Sequence, residues 1–161
     1  MMDKKINILY VDDEANNLIA FKANFRNYYN VYTSESAAEG LQILKENKIH
    51  IIITDQRMPN MTGVEFLESI IKEYPDPIRM LLTGYVDISA VIEAINKGQV
   101  YRYIMKPINV DDLKITIDNA FEVYSLREEN KELMKSLLRV NKQLEFMLRQ
   151  KLLSLDSNPD A

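Results

Sequence analysis

The stretch HIIITDQRMPNMTG, residues 50–63, decides the fold. Its β-branched apolar run is short and ends on Asp55, and Pro59 and Gly63 then force a turn before a helical pattern begins at Val64. A short apolar run bounded by turn residues is typical of a strand buried on both faces of a parallel sheet. We therefore expect Asp55 at the carboxyl end of a central strand, where open α/β sheets form their ligand crevice.

Four further apolar segments alternate with amphipathic helical patterns around this stretch. Such alternation, in units of about 20 to 25 residues, is typical of a doubly wound parallel α/β sheet. Right-handed crossovers then bring the carboxyl ends of all five strands to one edge. The other predicted strands are residues 6–11, 30–33, 78–82 and 100–105, and the predicted helices are close to residues 15–26, 37–47, 64–74 and 87–96.

Polar residues follow the predicted strands at that edge. Asp12 and Asp13 follow the first strand, Asp55 ends the third, and Thr83 and Lys106 follow the fourth and fifth. Clustered carboxylates repel one another, and a hard divalent cation such as Mg²⁺ removes that repulsion. A chain with no Cys and one His offers few zinc ligands. The sequence therefore predicts a magnesium site.

A lysine and a hydroxyl beside that cation would bind an anion of phosphoryl size. Asp55 would be the nucleophile that attacks phosphorus and forms an aspartyl phosphate. Lys106 would bind one phosphoryl oxygen as a point charge, and Thr83 would donate its hydroxyl to another. Gly84, which has no side chain, would leave room beside the group.

With these motifs the chain resembles the receiver domains of bacterial two-component response regulators, over about residues 4–122. The resemblance implies a flavodoxin-like, five-stranded parallel sheet of order 2-1-3-4-5. It also implies a phosphoryl group received on Asp55 from a sensor histidine kinase or phosphotransfer protein. Such a protein catalyses only its own phosphorylation and dephosphorylation, and is otherwise no enzyme. The motifs are Asp12-Asp13, Asp55 with Met58-Pro59 and Gly63, Thr83-Gly84, and Lys106-Pro107.

The resemblance also assigns ligand and switch roles. It implies Mg²⁺ bound by Asp13, Asp55 and the backbone carbonyl of Arg57, with Asp12 acting partly through water. Thr83 and Tyr103 match the pair that relays phosphorylation to the face formed by helix four, strand five and helix five.

Arg57 and Tyr85 occupy positions that tune the lifetime of the phosphoryl group in this family. We hypothesise that these two side chains shield the group from attacking water.

A helical pattern without Gly or Pro continues from Asp111 to about Leu153. One helix of that length would span roughly 60 Å, of which a receiver could cover about a third. We expect a receiver domain at residues 1–122, a coiled-coil extension of helix five at 123–155, and a disordered end at 156–161.

Apolar residues in the extension recur in heptads, which predicts a dimer. Asn130 at an a position would favour a parallel two-stranded coiled coil. The apolar face is wider than one seam, so a four-helix arrangement, a surface for another domain, or a tail packed on its own receiver remain alternatives. The predicted seam is Leu126, Leu133, Val140 and Met147 at d, and Asn130, Leu137, Leu144 and Lys151 at a.

Bulk composition narrows the function classes. A net charge of −4 and a pI near 5.1 predict neither direct nucleic-acid binding nor attraction to an anionic membrane. No signal peptide or membrane span is evident, so we expect a cytoplasmic protein. The output would be a partner protein or a domain beyond residue 161.

Three other functions fit less well. An aspartyl-nucleophile phosphatase usually has a second acid two residues after the nucleophile, where this chain has Arg57. A nucleotide-binding domain would need a Gly-rich loop after the first strand. A phosphorylation-independent coiled-coil scaffold would use the extension alone.

Overall fold

The computed structural model describes residues 6–84, 86 and 88–156. Within them, all strand pairs are parallel and the sheet order is β2-β1-β3-β4-β5, which confirms the predicted doubly wound fold. Strands β1 (Asn7–Val11), β2 (Asn30–Ser34), β3 (Ile51–Asp55), β4 (Ile78–Thr83) and β5 (Arg102–Met105) alternate with helices α1 (Ala15–Phe25), α2 (Ala37–Glu46), α3 (Gly63–Ile70), α4 (Ile88–Asn96) and α5 (Val110–Asp156).

The sheet is buried on both faces because its central strands are apolar at successive positions. Every residue of β3 and of β4 is buried. Successive side chains of a strand point to opposite faces, so Ile51 and Ile53 pack in one apolar layer and Ile52 in the other. The first layer contains side chains of α1 and α5, and the second contains side chains of α2, α3 and α4.

Local signals set most helix ends. Ser36 caps α2 by accepting the backbone N–H of Glu39, and Thr62 forms a capping box with Glu65 at the start of α3. Gly98 has φ +75° after α4, as expected of a glycine that ends a helix. These contacts satisfy backbone donors and acceptors that a helix leaves without partners at its ends.

Most boundaries lie within one residue of the sequence-based prediction, but the end of α3 and the start of β5 differ by more. Helix α3 ends at Ile70 rather than at Tyr74, and residues 71–73 form turns. Pro75 disfavours helical backbone at Tyr74, the residue directly before it. Strand β5 begins at Arg102 rather than at Val100. It pairs with β4 from Met80 to Thr83, so the shorter strand still ends beside the edge that carries the candidate site.

The chain divides into two units, Met1–Tyr124 and Ser125–Ala161. The first is the α/β unit, and its buried α5 residues are Leu113, Ile117, Ala120 and Tyr124. In the second, the described residues are helical and all are exposed except two half-buried positions, Glu128 and Ser136. Among the described residues no helix is both long enough and apolar enough to cross a membrane.

Candidate functional site

Asp55 is held at the carboxyl end of β3 by a closed loop. It pairs in register with Leu82 of β4. The backbone N–H of the next residue, Gln56, donates to the Leu82 carbonyl over 3.0 Å, and Gln56 accepts from Gly63 and Val64 over 2.9 and 3.0 Å. Gln56 is buried, so it ties both ends of the β3–α3 connection together and fixes the backbone beside Asp55.

The sequence suggests that Gly63 serves a turn. In the structure it is required because the backbone of Asp55 and the side chain of Leu81 lie too close for any larger residue. Its φ is not positive, whereas Asn60 has φ 71° in the same loop. A Cβ on Gly63 would overlap the Asp55 carbonyl oxygen and lie 2.7 Å from Leu81 Cδ2. The α3 N-terminus therefore packs directly on the backbone of Asp55.

Lys106 forms an ion pair with Asp55. Its Nζ lies 2.7 Å from Asp55 Oδ1, and its backbone N–H donates to the Thr83 carbonyl over 2.9 Å. The peptide bond from Lys106 to Pro107 is cis. Burial raises the pKa of Asp55, and nearby Asp12 adds to that rise, while Lys106 opposes it. The buried carboxylate thus retains a tendency to bind protons or cations.

Three carboxylates meet at this edge. Asp12, Asp13 and Asp55 each offer an oxygen, and these oxygens lie within 4.8 Å of one another. Asp12 and Asp55 are buried and Asp13 is exposed, so the cluster is open on one side. A hard oxygen-ligand set with an open side fits Mg²⁺, which keeps several waters. These residues therefore could hold the predicted cation.

A small cavity of about 170 Å³ opens beside Asp55. Asp55, Thr83 and Lys106, which were predicted to lie at the ends of strands three, four and five, all line it. It is of a size suited to a phosphoryl group and a few waters, given that one water takes up about 30 Å³ in the liquid. The lining residues are Asp55, Gln56, Arg57, Thr83, Gly84, Val86 and Lys106.

The proposed switch residues lie on β4 and β5. Thr83 is buried, and its hydroxyl donates to the Gly84 carbonyl over 3.1 Å. Tyr103 is half-buried and packs against the apolar layer of α2, α3 and α4. Arg57 lines the cavity, and the role of its carbonyl as a ligand stays a prediction. Tyr85 lies outside the described residues.

The predicted seam lies entirely in the second unit. Its apolar members are exposed, with 46 to 64% of each side chain accessible. Their pairing with another helix stays a prediction. The seam comprises Leu126, Asn130, Leu133, Leu137, Val140, Leu144, Met147 and Lys151.

Sequence reasoning missed the residues that hold Asp12. Tyr10 was assigned only to the first strand, yet its hydroxyl donates to Asp12 Oδ2. Asn17 on α1 donates to the same oxygen. The signal that could have found Tyr10 is the spacing of two, which puts both side chains on one face of β1.

Comparison with known proteins agrees with this geometry. Residues 8–118 match the family described as "Response regulator receiver domain". The chain is 34% identical over 157 residues to the hydrogenase transcriptional regulatory protein HoxA of Cupriavidus necator, covering 98% of this chain and 33% of that protein. The chain therefore spans about a third of the length of that relative, and the aligned region includes most of the second unit.

Solved structures give the same fold. A structure described as adenylate cyclase from Rhodopirellula baltica is 34% identical with a TM-score of 0.79, covering 82% of this chain and 98% of that one. A response regulator receiver domain protein from Clostridium thermocellum is 35% identical with a TM-score of 0.71, covering 75% and 98%.

Proposed function

This chain belongs to the response regulator receiver domain family, and we propose that it accepts a phosphoryl group on Asp55 from a sensor histidine kinase or phosphotransfer protein. One observation carries the proposal. The buried Asp55 carboxylate has Lys106 Nζ at 2.7 Å, and oxygens of Asp12 and Asp13 within 4.8 Å of its own. A nucleophile, a cation site and a phosphoryl-binding donor thus converge on one carboxylate.

In the transfer step, an Asp55 oxygen attacks phosphorus and the bond from phosphorus to the donor nitrogen breaks. The donor imidazole leaves as the neutral group after taking up a proton. Asp55 must be ionised to attack, and Lys106 favours that form by opposing the effect of burial on the pKa. Phosphoryl transfer depends mainly on positioning and electrostatics, and the closed β3–α3 loop supplies the positioning.

Mg²⁺, held by Asp13, Asp55 and the Arg57 carbonyl, with Asp12 partly through water, would neutralise charge on the carboxylates and on the transferred group. Lys106 is already within ion-pair distance of Asp55, so it can bind an oxygen of a phosphoryl group placed there. The Thr83 hydroxyl would turn from the Gly84 carbonyl to donate to a second oxygen. Arg57 and Tyr85 would limit access of water.

The signal would leave through the face of α4, β5 and α5. Turning of Thr83 toward the phosphoryl group would open space into which Tyr103 can move. Helix α5 begins in this unit and supplies four buried residues to it, and a change at this face would be passed on to α5. A coupling of about 1–3 kcal/mol is sufficient for regulation.

The extension, residues 123–155, would act as a dimerising coiled coil that passes the signal to an output domain beyond residue 161 or to a partner. Two facts support this role. Thirteen large apolar side chains of its described residues are exposed. The similarity to HoxA, described as a transcriptional regulator, continues through this segment. The second candidate, a phosphorylation-independent scaffold, is favoured by the same exposed side chains.

Acetyl phosphate with Mg²⁺ provides the test. Intact mass should show one labile phosphoryl group on the wild-type chain and none on Asp55→Asn. Asp112→Asn, an exposed aspartate at the start of α5, is the matched control and should be modified like wild type. Modification of Asp55→Asn to the wild-type level would overturn the proposal, and a wild-type chain that stays unmodified and does not bind beryllofluoride would favour the scaffold.

A further inference from the structure

Three donors hold the Asp12 carboxylate. The Tyr10 hydroxyl donates to Asp12 Oδ2 over 2.7 Å, and Asn17 Nδ2 donates to the same oxygen over 3.1 Å. The backbone N–H of Glu14 donates to Oδ1 over 2.9 Å. A carboxylate offers about four acceptor positions, so these bonds leave one, on Oδ1, for a cation or one of its waters.

Tyr10 is itself fixed in place. Its side chain is buried, and its ring stacks on Phe21 with centroids 4.1 Å apart and planes 10° apart. The ring is therefore held where its hydroxyl reaches Asp12 Oδ2.

We propose that Tyr10 is a positioning residue for the cation site: its hydroxyl orients the Asp12 carboxylate so that the one remaining acceptor position faces the cluster with Asp13 and Asp55. The two donors on Oδ2 prevent rotation about the bond that carries the carboxylate. Without the hydroxyl, the carboxylate keeps the Glu14 and Asn17 bonds but gains freedom to turn. This inference rests on the proposed magnesium site.

A second tyrosine supplies the matched control. Tyr29 is also buried, belongs to the same apolar layer, and donates to the Asp118 carboxylate over 2.8 Å. It differs from Tyr10 in that Asp118 is exposed and lies outside the acidic cluster. Each Tyr→Phe change removes one hydroxyl from a tyrosine–aspartate bond, so both should lower stability, and Tyr10→Phe should lower it more because its bond is buried.

The experiment is calorimetric titration of wild type, Tyr10→Phe and Tyr29→Phe with Mg²⁺, with thermal unfolding in EDTA measured in parallel. Groups that orient a metal ligand typically change metal affinity by about 10- to 100-fold. Since Asn17 and Glu14 remain, we expect about a tenfold loss for Tyr10→Phe, at the lower end of that range, and wild-type affinity for Tyr29→Phe. Asn17→Ala, on a half-buried α1 position, should lower the affinity in the same direction even if Tyr10→Phe folds poorly.

Equal Mg²⁺ affinity of Tyr10→Phe and wild type would overturn the inference while leaving the magnesium site intact. An equal loss in both tyrosine variants would also overturn it, because the effect would then be one of stability. A wild-type chain that binds no Mg²⁺ would contradict the proposed site itself.

Six leucines in the extension carry a second, independent inference. Their spacings are 7, 4, 7, 4 and 7, which is an 11-residue repeat. On a straight helix, at about 100° per residue, they lie within a stripe roughly 60° wide, whereas the eight heptad positions spread over roughly 100°. All six side chains are more than half exposed. The leucine stripe consists of Leu126, Leu133, Leu137, Leu144, Leu148 and Leu155.

We infer that the leucine stripe, rather than the heptad seam, is the contact between two copies of this chain. A parallel pair related by a two-fold axis sets each stripe leucine opposite its own copy, so the repeat is complementary to itself. An 11-residue repeat favours a straight or right-handed pair, unlike the left-handed supercoil of heptads. The inference refines the proposed dimer and depends on it.

Two adjacent residues discriminate the alternatives. Leu148 belongs only to the stripe and Met147 only to the heptad seam, and their side chains are 60% and 64% exposed. The chain contains no cysteine, so Leu148→Cys and Met147→Cys each introduce a single thiol. Under mild oxidation with copper phenanthroline, we expect Leu148→Cys to form the interchain disulfide at least several-fold faster.

Faster cross-linking of Met147→Cys would favour the heptad seam as the contact and overturn the inference. If neither cysteine variant forms the interchain disulfide although light scattering shows a dimer, the parallel arrangement would be overturned. A monomer at all accessible concentrations would contradict the proposed dimer.

Discussion

The acidic pocket and the helical extension break the usual burial pattern in opposite directions. In the pocket, charged groups are buried, with Asp12 at 0% and Asp55 at 4% exposure. In the extension, leucines are exposed, with Leu126 and Leu133 each at 62%. Buried charge needs a compensating ion or donor, and a broad exposed apolar face needs a covering surface.

Each departure therefore indicates a binding partner of matching chemistry. In the proposed function, the partner of the pocket would be a cation and a phosphoryl group, and the partner of the extension would be another helix. In the pocket, backbone hydrogen bonds and a close glycine contact hold the chain beside Asp55 in place. The extension has no such surroundings among the described residues, so its energetics should depend on assembly. Three changes test this difference.

Gly63→Ala should have the largest effect on folding, because its Cβ would overlap the Asp55 backbone. We expect a loss of about 3 kcal/mol in the free energy of unfolding, at the upper end of the range for overpacking. Urea unfolding measures it. Gly84→Ala is the control, since a Cβ at that position would meet no described atom within 4 Å. Its free energy of unfolding should change by less than about 0.5 kcal/mol. Equal effects of the two variants would contradict the close-packed pocket.

Leu133→Asp combined with Leu144→Asp should abolish dimerisation and leave the receiver unit stable. Both side chains are exposed within the single chain, so their replacement removes no intramolecular core contact. We expect the dissociation constant of the dimer to rise more than 100-fold, which is about 2.7 kcal/mol, as measured by sedimentation equilibrium. Gln150→Asp, away from both seams, should leave the dimer unchanged. Loss of thermal stability at concentrations where wild type is monomeric would show that these leucines serve the receiver unit instead.

Asp55→Asn should stabilise the metal-free protein at neutral pH. Burial raises the pKa of Asp55, so the folded state binds its proton more tightly than the unfolded chain does. Stability from this group is present at pH values below the ordinary carboxyl pKa and is lost as pH rises through the raised pKa. We expect Asn to raise the free energy of unfolding at pH 7, where the wild-type carboxylate is buried and charged, and to add little in acid. Thermal unfolding in EDTA against pH measures the difference, and an Asn variant that is less stable at pH 7 would refute this reasoning.

Much of the fold was predictable because the apolar periods of strands (two residues) and of helices (3.6 residues) can be read from a short stretch of sequence. The apolar run before Asp55 identified the central strand, and the alternation of elements identified the parallel sheet. The residues that support the site were less accessible. Gly63 looked like a turn residue, and its close approach to Asp55 is a tertiary contact. Tyr10 looked like core, and its bond to Asp12 depends on side-chain geometry within β1.

In the extension, the secondary structure was predictable but the packing register was not. Its helical state follows from composition, since Gly and Pro are absent from Asp111 to Leu153. Its register does not, because heptad and 11-residue repeats share Leu126, Leu133, Leu137 and Leu144. Only the residues outside that shared set distinguish the two packings.

The central claim, phosphorylation of Asp55, is tested most directly by locating the modified residue. Borohydride reduces an aspartyl phosphate to homoserine, and trypsin releases Asp55 in the peptide of residues 49–57, where it is the only acidic side chain. Asp12 and Asp13 fall in a different peptide, residues 6–22. After treatment with acetyl phosphate and Mg²⁺, we expect homoserine at position 55 alone. Homoserine in the peptide of residues 6–22, with residue 55 unchanged, would contradict the account.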